Sequence, residues 1–369
     1  MTSSLVRTAA PRGGFVTVTH QNGGRPDGAA HWRGSAAPPG PPPPACRRRR
    51  ARRAPPRPVR GGPAGPTGPP RTSRVPRCTW PRAWGHPSRP GGPGHASTTL
   101  THVAVRRVTT KNARFQQWHA LLSNRAKRQR LGEFLVQGVR PITMAVERGW
   151  PLRAFLYDAS RPLSRWAKEL LAATRADTFA VAPQLLAELG EKEDGAEIVA
   201  VAAMPPDDLS RIPVGDRFLG VVFDRPVSPG NIGTLIRSAD SFGADGVIVT
   251  GHAADVYDPK AVRASTGSLF ALPVVRVPGP RDVTGWLAAA GRPVTVIGTD
   301  EHGEADLAEC DLTGPVLLLV GNETAGLSTA WREACDRMAR IPMTGTASSL
   351  NAASAATVAL YEAARQRRA

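Results

Sequence analysis

The run Phe218-Leu219-Gly220-Val221-Val222-Phe223 is almost wholly apolar, and Asp224-Arg225-Pro226-Val227-Ser228-Pro229-Gly230-Asn231-Ile232-Gly233 follows it directly. A short apolar run without polar alternation predicts a strand buried on both faces. The Pro-Gly pair then predicts a turn into a helix over Ile232 to Phe242. The same phrasing recurs downstream. Gly246 to Val249, Val274 to Val277, Val294 to Ile297 and Val316 to Val320 read as further strands. Pro259 to Leu269, Val283 to Ala290 and Ser328 to Cys335 read as helices between them. Strands joined by helical crossovers predict an α/β domain with a parallel sheet, here over 217–369. In open sheets of this kind ligands sit beyond the carboxyl ends of the strands. The loops after Phe223, Ile297 and Val320, and the loop into the last helix, are therefore the ones to read.

Upstream, the alternation describes a smaller α/β domain over 105–202, with strands at Phe134–Gln137, Leu152–Tyr157, Thr178–Val181 and Glu197–Val201. Helices are expected at Val139–Arg148, Leu163–Ala173 and Gln184–Leu189. Residues 203–216, with Met204-Pro205-Pro206-Asp207-Asp208 and Pro213, read as a linker. Phe115, Trp118, Leu121 and Leu122 recur at helical spacing within 101–132, which predicts an amphipathic helix with a basic outer face. That stretch holds eight bases (Arg106, Arg107, Lys111, Arg114, Arg125, Lys127, Arg128 and Arg130) and no acid. One-signed charge of this kind predicts a face turned toward phosphate.

Residues 1–104 read differently. The first 100 residues contain 17 Arg, no Lys, one acid (Asp27), 20 Pro and 15 Gly. No apolar period of either kind runs through them, so a disordered tail is expected. An Arg-rich arm for phosphate, a targeting segment and a misassigned start site are the three readings of it; the last is favoured by Arg without Lys. The net charge of +18 for 369 residues thus divides into +16 in the first 100 residues, +8 over 101–132 and −6 over 133–369. No run approaches the ~18 apolar residues of a membrane span. Cys46, Cys78, Cys310 and Cys335 lack metal-ligand spacing, so no metal is expected, and a reducing cytoplasm is the expected setting.

Three loops carry candidate chemistry. Asn231 stands at the positive end of a helix, with Arg237 six residues on. Gly321-Asn322-Glu323-Thr324-Ala325-Gly326 follows the most apolar strand, where glycines permit close approach to the backbone. Ile341-Pro342-Met343 and then Ser349-Leu350-Asn351 lead into an Ala-rich helix, for which Ser349 is a candidate N-cap. The folded body has neither a G-x-G-x-x-G string nor a P-loop, which argues against dinucleotide or nucleoside-triphosphate binding.

In order, spacing and wording these strings resemble the SpoU family of S-adenosylmethionine-dependent RNA ribose 2′-O-methyltransferases, the TrmH-like branch of the SPOUT superfamily. The stretch Lys260-Ala261-Val262-Arg263-Ala264-Ser265-Thr266-Gly267-Ser268 is similar to the family between its first two motifs. Gly132-Glu133-Phe134 and Gln137-Gly138-Val139-Arg140 are similar to its small substrate-binding domain, although Gln137 stands where relatives often have Glu. The resemblance implies a C-terminal domain with a deep trefoil knot, a homodimer whose active site borrows residues across the interface, and an RNA partner, ribosomal rather than transfer RNA. It implies cofactor contacts around Gly298, Gly321, Ile341 and Leu350, and a catalytic set of Asn231, Arg237, Glu323, Ser349 and Asn351. RNA contact is expected from the eight bases above together with Arg263.

A ribose hydroxyl is a poor nucleophile and must lose its proton during attack. A guanidinium normally stays protonated, so Arg237 is expected to hold the neighbouring phosphate and stabilise the developing oxyanion. Asn231 and Glu323 would orient Arg237 or the ribose, and Ser349 and Asn351 the loop. An RNA-binding protein of the same fold without catalysis, and a methyltransferase acting on a base, are the alternatives. Deletion of residues 1–100 is expected to leave activity and RNA affinity at physiological salt nearly unchanged in a filter-binding assay; loss of most of the affinity would make the tail a phosphate-binding arm.

Overall fold

A computed structural model describes residues 106–191 and 195–368. The tail expected over 1–104, with Cys46 and Cys78, lies outside the described residues. The chain builds β1 (Arg106–Val108), α1 (Ala113–Ser123), α2 (Arg125–Leu131), β2 (Glu133–Gln137), α3 (Val139–Glu147), β3 (Leu152–Asp158), α4 (Arg165–Ala173), β4 (Asp177–Val181), α5 (Pro183–Gly190) and β5 (Ile198–Ala203). It continues with β6 (Leu219–Asp224), α6 (Pro229–Ser241), β7 (Gly246–Thr250), α7 (Pro259–Ala264), β8 (Val274–Val277), α8 (Pro280–Ala289), β9 (Thr295–Thr299) and β10 (Ala305–Asp306). The last elements are β11 (Val316–Val320), α9 (Thr329–Glu333), β12 (Arg337–Arg340) and α10 (Ala352–Gln366).

Local chemistry explains most boundaries. Pro183, Pro229, Pro259 and Pro280 open α5, α6, α7 and α8, where a missing N–H costs nothing. The amphipathic helix expected from Phe115, Trp118, Leu121 and Leu122 is α1, with the first three buried; the rest of 101–132 adds a short strand and a second helix. Asn124 causes the break: it ends α1, and its side chain accepts from Lys127 N to cap α2. The helix expected over Pro259–Leu269 stops at Ala264, because Thr266 (φ +50°) and Gly267 (φ +100°) turn left-handed. A Cβ at Gly267 would lie 2.8 Å from Met144 Cγ, so the turn is tight against α3.

Seven strands form one parallel sheet in the order β10-β12-β9-β11-β6-β7-β8. Every residue of β6, β7 and β11 is buried, as the unalternating runs required. The chain leaves β9, returns between β9 and β6 as β11, then crosses to the far side of β9 as β12. α10 finally comes back to α6, where Ser238 Oγ and Thr357 Oγ1 share a hydrogen bond of 2.7 Å. Five strands, β1-β4-β3-β5-β2, form the small sheet, in which β5 runs antiparallel to β2 and β3.

The small sheet is packed directly onto the large domain. Its alternate residues Phe134, Val136, Phe155 and Ala200 join one apolar cluster with Tyr257, Phe270 and Val274. Phe134 and Tyr257 meet with tilted rings, centroids 4.7 Å apart, and Trp150 meets Phe270 edge-on at 5.0 Å. Charged groups close the same joint. Arg128 is buried; its Nε donates to Asp255 (2.7 Å) and its Nη1 to the carbonyls of Leu121 and Leu122. Arg140 Nε donates to Thr266 O (3.1 Å). The stretch between the domains is no free tether either: Asp207 accepts two bonds from the Arg276 guanidinium, and Ile212 is buried against Gly246.

Removing one member of a buried ion pair leaves the other charge uncompensated. Arg128→Ala is therefore expected to lower the unfolding free energy by about 3–5 kcal/mol in urea titration. A loss below about 1 kcal/mol, the scale of an exposed pair, would show that water reaches Asp255 in the wild type.

Candidate active site

Strands β6, β7, β9 and β11 end side by side at Asp224, Thr250, Thr299 and Val320. Two of these ends are polar and buried, which requires partners. Asp224 Oδ1 accepts from the Thr250 hydroxyl (3.0 Å), and Oδ2 accepts from Ser328 N (2.9 Å) and Arg225 Nε (3.1 Å). The Thr250 oxygen in turn accepts from Trp331 Nε1 at 3.2 Å. The loop after β11 folds back on itself: Asn322 and Gly326 exchange backbone bonds of 3.0 and 3.1 Å. A Cβ on Gly321 would lie 2.4 Å from the Gly326 carbonyl carbon, and Gly326 sits at φ +63°. Glycine is required at both positions.

Glu323 reaches from this loop to the start of α6. Its Oε2 accepts from Val227 N (2.9 Å), and its Oε1 accepts from Ser228 N (3.0 Å) and Asn231 Nδ2 (3.0 Å). Asn231 Oδ1 accepts from Asn351 Nδ2 at 3.2 Å, and Asn351 Oδ1 caps α10 through Ala353 N and Ser354 N. Three loops far apart in sequence are thus joined by one chain of side-chain bonds. Burial works to raise the Glu323 pKa, but the N–H groups of Val227, Asn231 and Ser228 outweigh it and hold the carboxyl below its ordinary range.

Beside this chain lies a cleft of about 320 Å³. Val320, Ile341 and Leu350 supply apolar wall, and Thr299, Asp300 and Arg332 supply polar groups. Asp300 is ion-paired with Arg332 and accepts from His302 N (3.0 Å). The volume and mixed lining suit a nucleoside-sized ligand.

Of the expected site residues, Gly321, Glu323, Ile341, Ser349 and Leu350 line the cleft. Asn231 and Asn351 are not among its lining residues; Asn231 is joined to Glu323 and Asn351 to Asn231. Gly298 is not among the residues that line the cleft: it is buried within β9, where a Cβ would meet Met338 Sδ at 2.5 Å and Cys335 Sγ at 2.7 Å, while the next residues, Thr299 and Asp300, do line it. Ser349 is exposed and does not cap α10; Asn351 does. Arg237 is exposed on α6 and does not line the cleft of its own chain. Asp224, Arg225 and Asn322 stood within the quoted loops without a role of their own, and Asp300 and Arg332 were not singled out from the sequence. Their place at or just after strand ends was the signal for all but Arg332, which lies on α9.

The basic segment also needs correcting. Arg128 is 2 % exposed and serves the domain joint, so it cannot face RNA. Acidic partners, absent from the segment itself, come from elsewhere in the chain: Arg106 pairs with Asp177 (2.8 Å) and Lys111 with Glu188 (2.8 Å). Arg125 donates to Ala253 O (2.6 Å), and Arg114 lies over the Phe179 ring at 5.7 Å. Arg107 and Arg130 are exposed, and Lys127 is half-buried. Arg263 donates to Gln137 Oε1 (2.5 Å) and pairs with Glu191, while Gln137 Nε2 donates to Leu189 O (2.7 Å). Gln137 therefore belongs to the contact between the domains. Among the described residues no cluster of His, Cys, Asp or Glu could hold a metal ion, and no helix is long and apolar enough to cross a membrane.

Comparison with known proteins agrees in placement. The SpoU L30e-like domain profile matches residues 112–200, and the SpoU rRNA Methylase family profile matches residues 219–361. The chain is 65 % identical over 268 residues to the 23S rRNA (uridine(2479)-2′-O)-methyltransferase of Streptomyces viridochromogenes, covering 72 % of this chain and 93 % of that protein. Among solved structures it is similar to the SpoU methyltransferase AviRb of the same organism in complex with AdoMet, with TM-score 0.68 and 65 % identity over 70 % of this chain and 99 % of that one. An AdoMet-bound rRNA methyltransferase from Sinorhizobium meliloti matches with TM-score 0.64 and 30 % identity, over 71 % of this chain and 98 % of that one.

A carboxyl whose pKa is depressed by folding contributes stability that is complete above its unfolded value, about 4.3, and is lost as pH falls through the folded value. Glu323→Gln is therefore expected to lower the thermal midpoint at pH 7, with the gap from wild type closing on acidification. A gap that stays constant from neutral to acid pH would show that the negative charge of Glu323 does not hold the loops.

Proposed function

Because the chain belongs to the SpoU rRNA methylase family, we propose that it transfers a methyl group from S-adenosylmethionine to a ribose 2′-hydroxyl of 23S ribosomal RNA, at a uridine. The observation that carries this reading is the bonded chain Glu323–Asn231–Asn351 beside a nucleoside-sized cleft. The cofactor fits that cleft: the back-folded Gly321–Gly326 loop leaves the end of β11 open, apolar Ile341 and Leu350 offer a surface for a base, and Asp300 offers an acceptor for hydroxyls. When bound, S-adenosylmethionine supplies a sulfonium methyl for in-line displacement.

The chain's own residues then have separable tasks. Asn231 and Asn351 hold the helix starts of α6 and α10 in register and place amide groups for the ribose. Ser349 brings a hydroxyl to the cleft. Glu323 is a poor candidate to take the hydroxyl's proton, since both its oxygens already accept N–H bonds. Arg237 is left to bind phosphate and stabilise the oxyanion as it develops. Its place outside the cleft of its own chain supports a homodimer in which it serves the partner's site. Exposed Val227, Val358 and Tyr361, on or beside α6 and α10, supply an apolar face for that contact. The trefoil knot belongs to the same reading, supported by the crossing of β12 outside β9 and the return of α10 to α6. So does the division into a small RNA-binding domain over 105–202 and a catalytic domain over 217–369.

The deciding experiment incubates the protein and labelled S-adenosylmethionine with unmodified ribosomal RNA and identifies the product nucleoside by mass spectrometry. 2′-O-methyluridine is expected. A methyl on a base, or no transfer at all, would overturn the proposal. Arg237→Ala is expected to abolish transfer while calorimetry shows cofactor affinity nearly intact, and wild-type activity in that variant would remove Arg237 from the site.

A further inference from the structure

Arg225 lies outside the motif strings on which the resemblance rests, yet it holds a backbone conformation that its side chain disfavours. It is one of three non-glycine residues with positive φ among the described residues, at φ +50°. Glycine or asparagine would take that conformation more easily. An arginine kept there points to a task for its side chain.

That task is visible in the contacts. Nη2 of Arg225 donates to Gly326 O at 3.0 Å, and Nε donates to Asp224, which itself accepts from Ser328 N. The Arg225 carbonyl accepts from Asn322 Nδ2 at 2.7 Å, and the Asn322 side-chain oxygen accepts from Thr324 N and Ala325 N at 2.9 Å each. Residues 224 and 225 therefore grip the back-folded loop at Asn322, Gly326 and Ser328, the first through the Arg225 main-chain carbonyl, while Asn322 itself holds the turn. The guanidinium stem crosses Gly251, where a Cβ would lie 2.7 Å from Arg225 Cγ. A planar fork on a long stem reaches both a carboxylate and a carbonyl, which an ammonium does less well.

We propose that Arg225 is a positioning residue for methyl transfer, holding the 321–328 loop in the shape that binds the cofactor. This rests on the reading of the adjacent cleft as the S-adenosylmethionine site. Arg225 does not line the cleft; it acts through Gly326, through Asn322 by its carbonyl, and through Ser328 by way of Asp224.

Arg225→Gly separates this role from a merely structural one, because it removes the fork while relieving the left-handed backbone. The full chain is purified as wild type, Arg225→Gly, Arg225→Met and Arg225→Lys, and S-adenosylmethionine affinity, thermal midpoint and both KM values are measured. Arg225→Gly is expected to keep its thermal midpoint yet bind the cofactor about tenfold more weakly, the scale of one charge-assisted hydrogen bond. The KM for the cofactor should rise while that for RNA stays fixed, with Arg225→Met behaving alike and Arg225→Lys recovering part of the loss. Wild-type cofactor affinity in either folded variant overturns the proposal, and so does failure of both to fold, which would assign Arg225 to stability. If the wild type itself binds no S-adenosylmethionine, the reading of the cleft has failed instead.

Discussion

One carboxylate holds the site together. Glu323 accepts N–H bonds from Val227, Ser228 and Asn231, residues up to 96 positions away in sequence. The sheet makes this reach short: β6 and β11 are parallel neighbours with Phe223 opposite Val320, so their loops leave the sheet at one level. Those loops carry backbone donors that no ladder satisfies, and a helix start adds more. A charged acceptor between them settles several at once and fixes where Asn231 points. The amide of Asn231 then finds Asn351, which brings the third loop into place through the cap of α10. Each functional loop is therefore fixed in place by a neighbour as well as by its own turn residues.

Much of the large domain was legible because its strands carry a strong signal. Runs such as Val316–Val320 are buried on both faces, and only a strand covered by helices needs so many branched residues without alternation. Elements without that signal were missed. β12 reads Arg337-Met338-Ala339-Arg340 and lies outside β9, where two of its side chains are exposed and polar. β1 spans three residues, two of them exposed arginines. Their place in the sheets is decided by backbone pairing with a distant strand, which no local pattern records. The failure of the long α7 helix has the same character: a turn at Thr266 and Gly267 is imposed by α3 of the other domain.

The site divides along similar lines. Glycines and motif residues that line the cleft were found by type and position, as at Gly321 and Glu323. Gly298 lies one residue short of the lining, and its neighbours Thr299 and Asp300 are the ones that open on the cleft. Asp224 and Arg225 look like ordinary loop residues in sequence. Only the fold shows that Asp224 is buried among donors and that Arg225 adopts a left-handed backbone at a cost on the order of 1–3 kcal/mol. Such residues act by holding others, and holding leaves no mark on composition.

Charge is where linear and spatial readings diverge most. Over 101–132 eight bases without an acid suggest one continuous surface for phosphate. In the fold the same residues part ways. Arg128 turns inward and is neutralised by Asp255, because a buried joint between two apolar faces tolerates a guanidinium only with its partner beside it. Arg263, expected at the RNA, is engaged by Gln137 and Glu191 across the same joint. Arg106 and Lys111 keep exposed partners, and exposed pairs of this kind are worth about 0–1 kcal/mol, weak enough to yield to a phosphate. The bases thus sort by burial: those in the joint spend their charge on fixing one domain against the other, and those at the rim remain exchangeable. A small domain fixed in this way keeps its exposed bases at a set distance from the cleft, because the joint leaves neither apolar face free to slide.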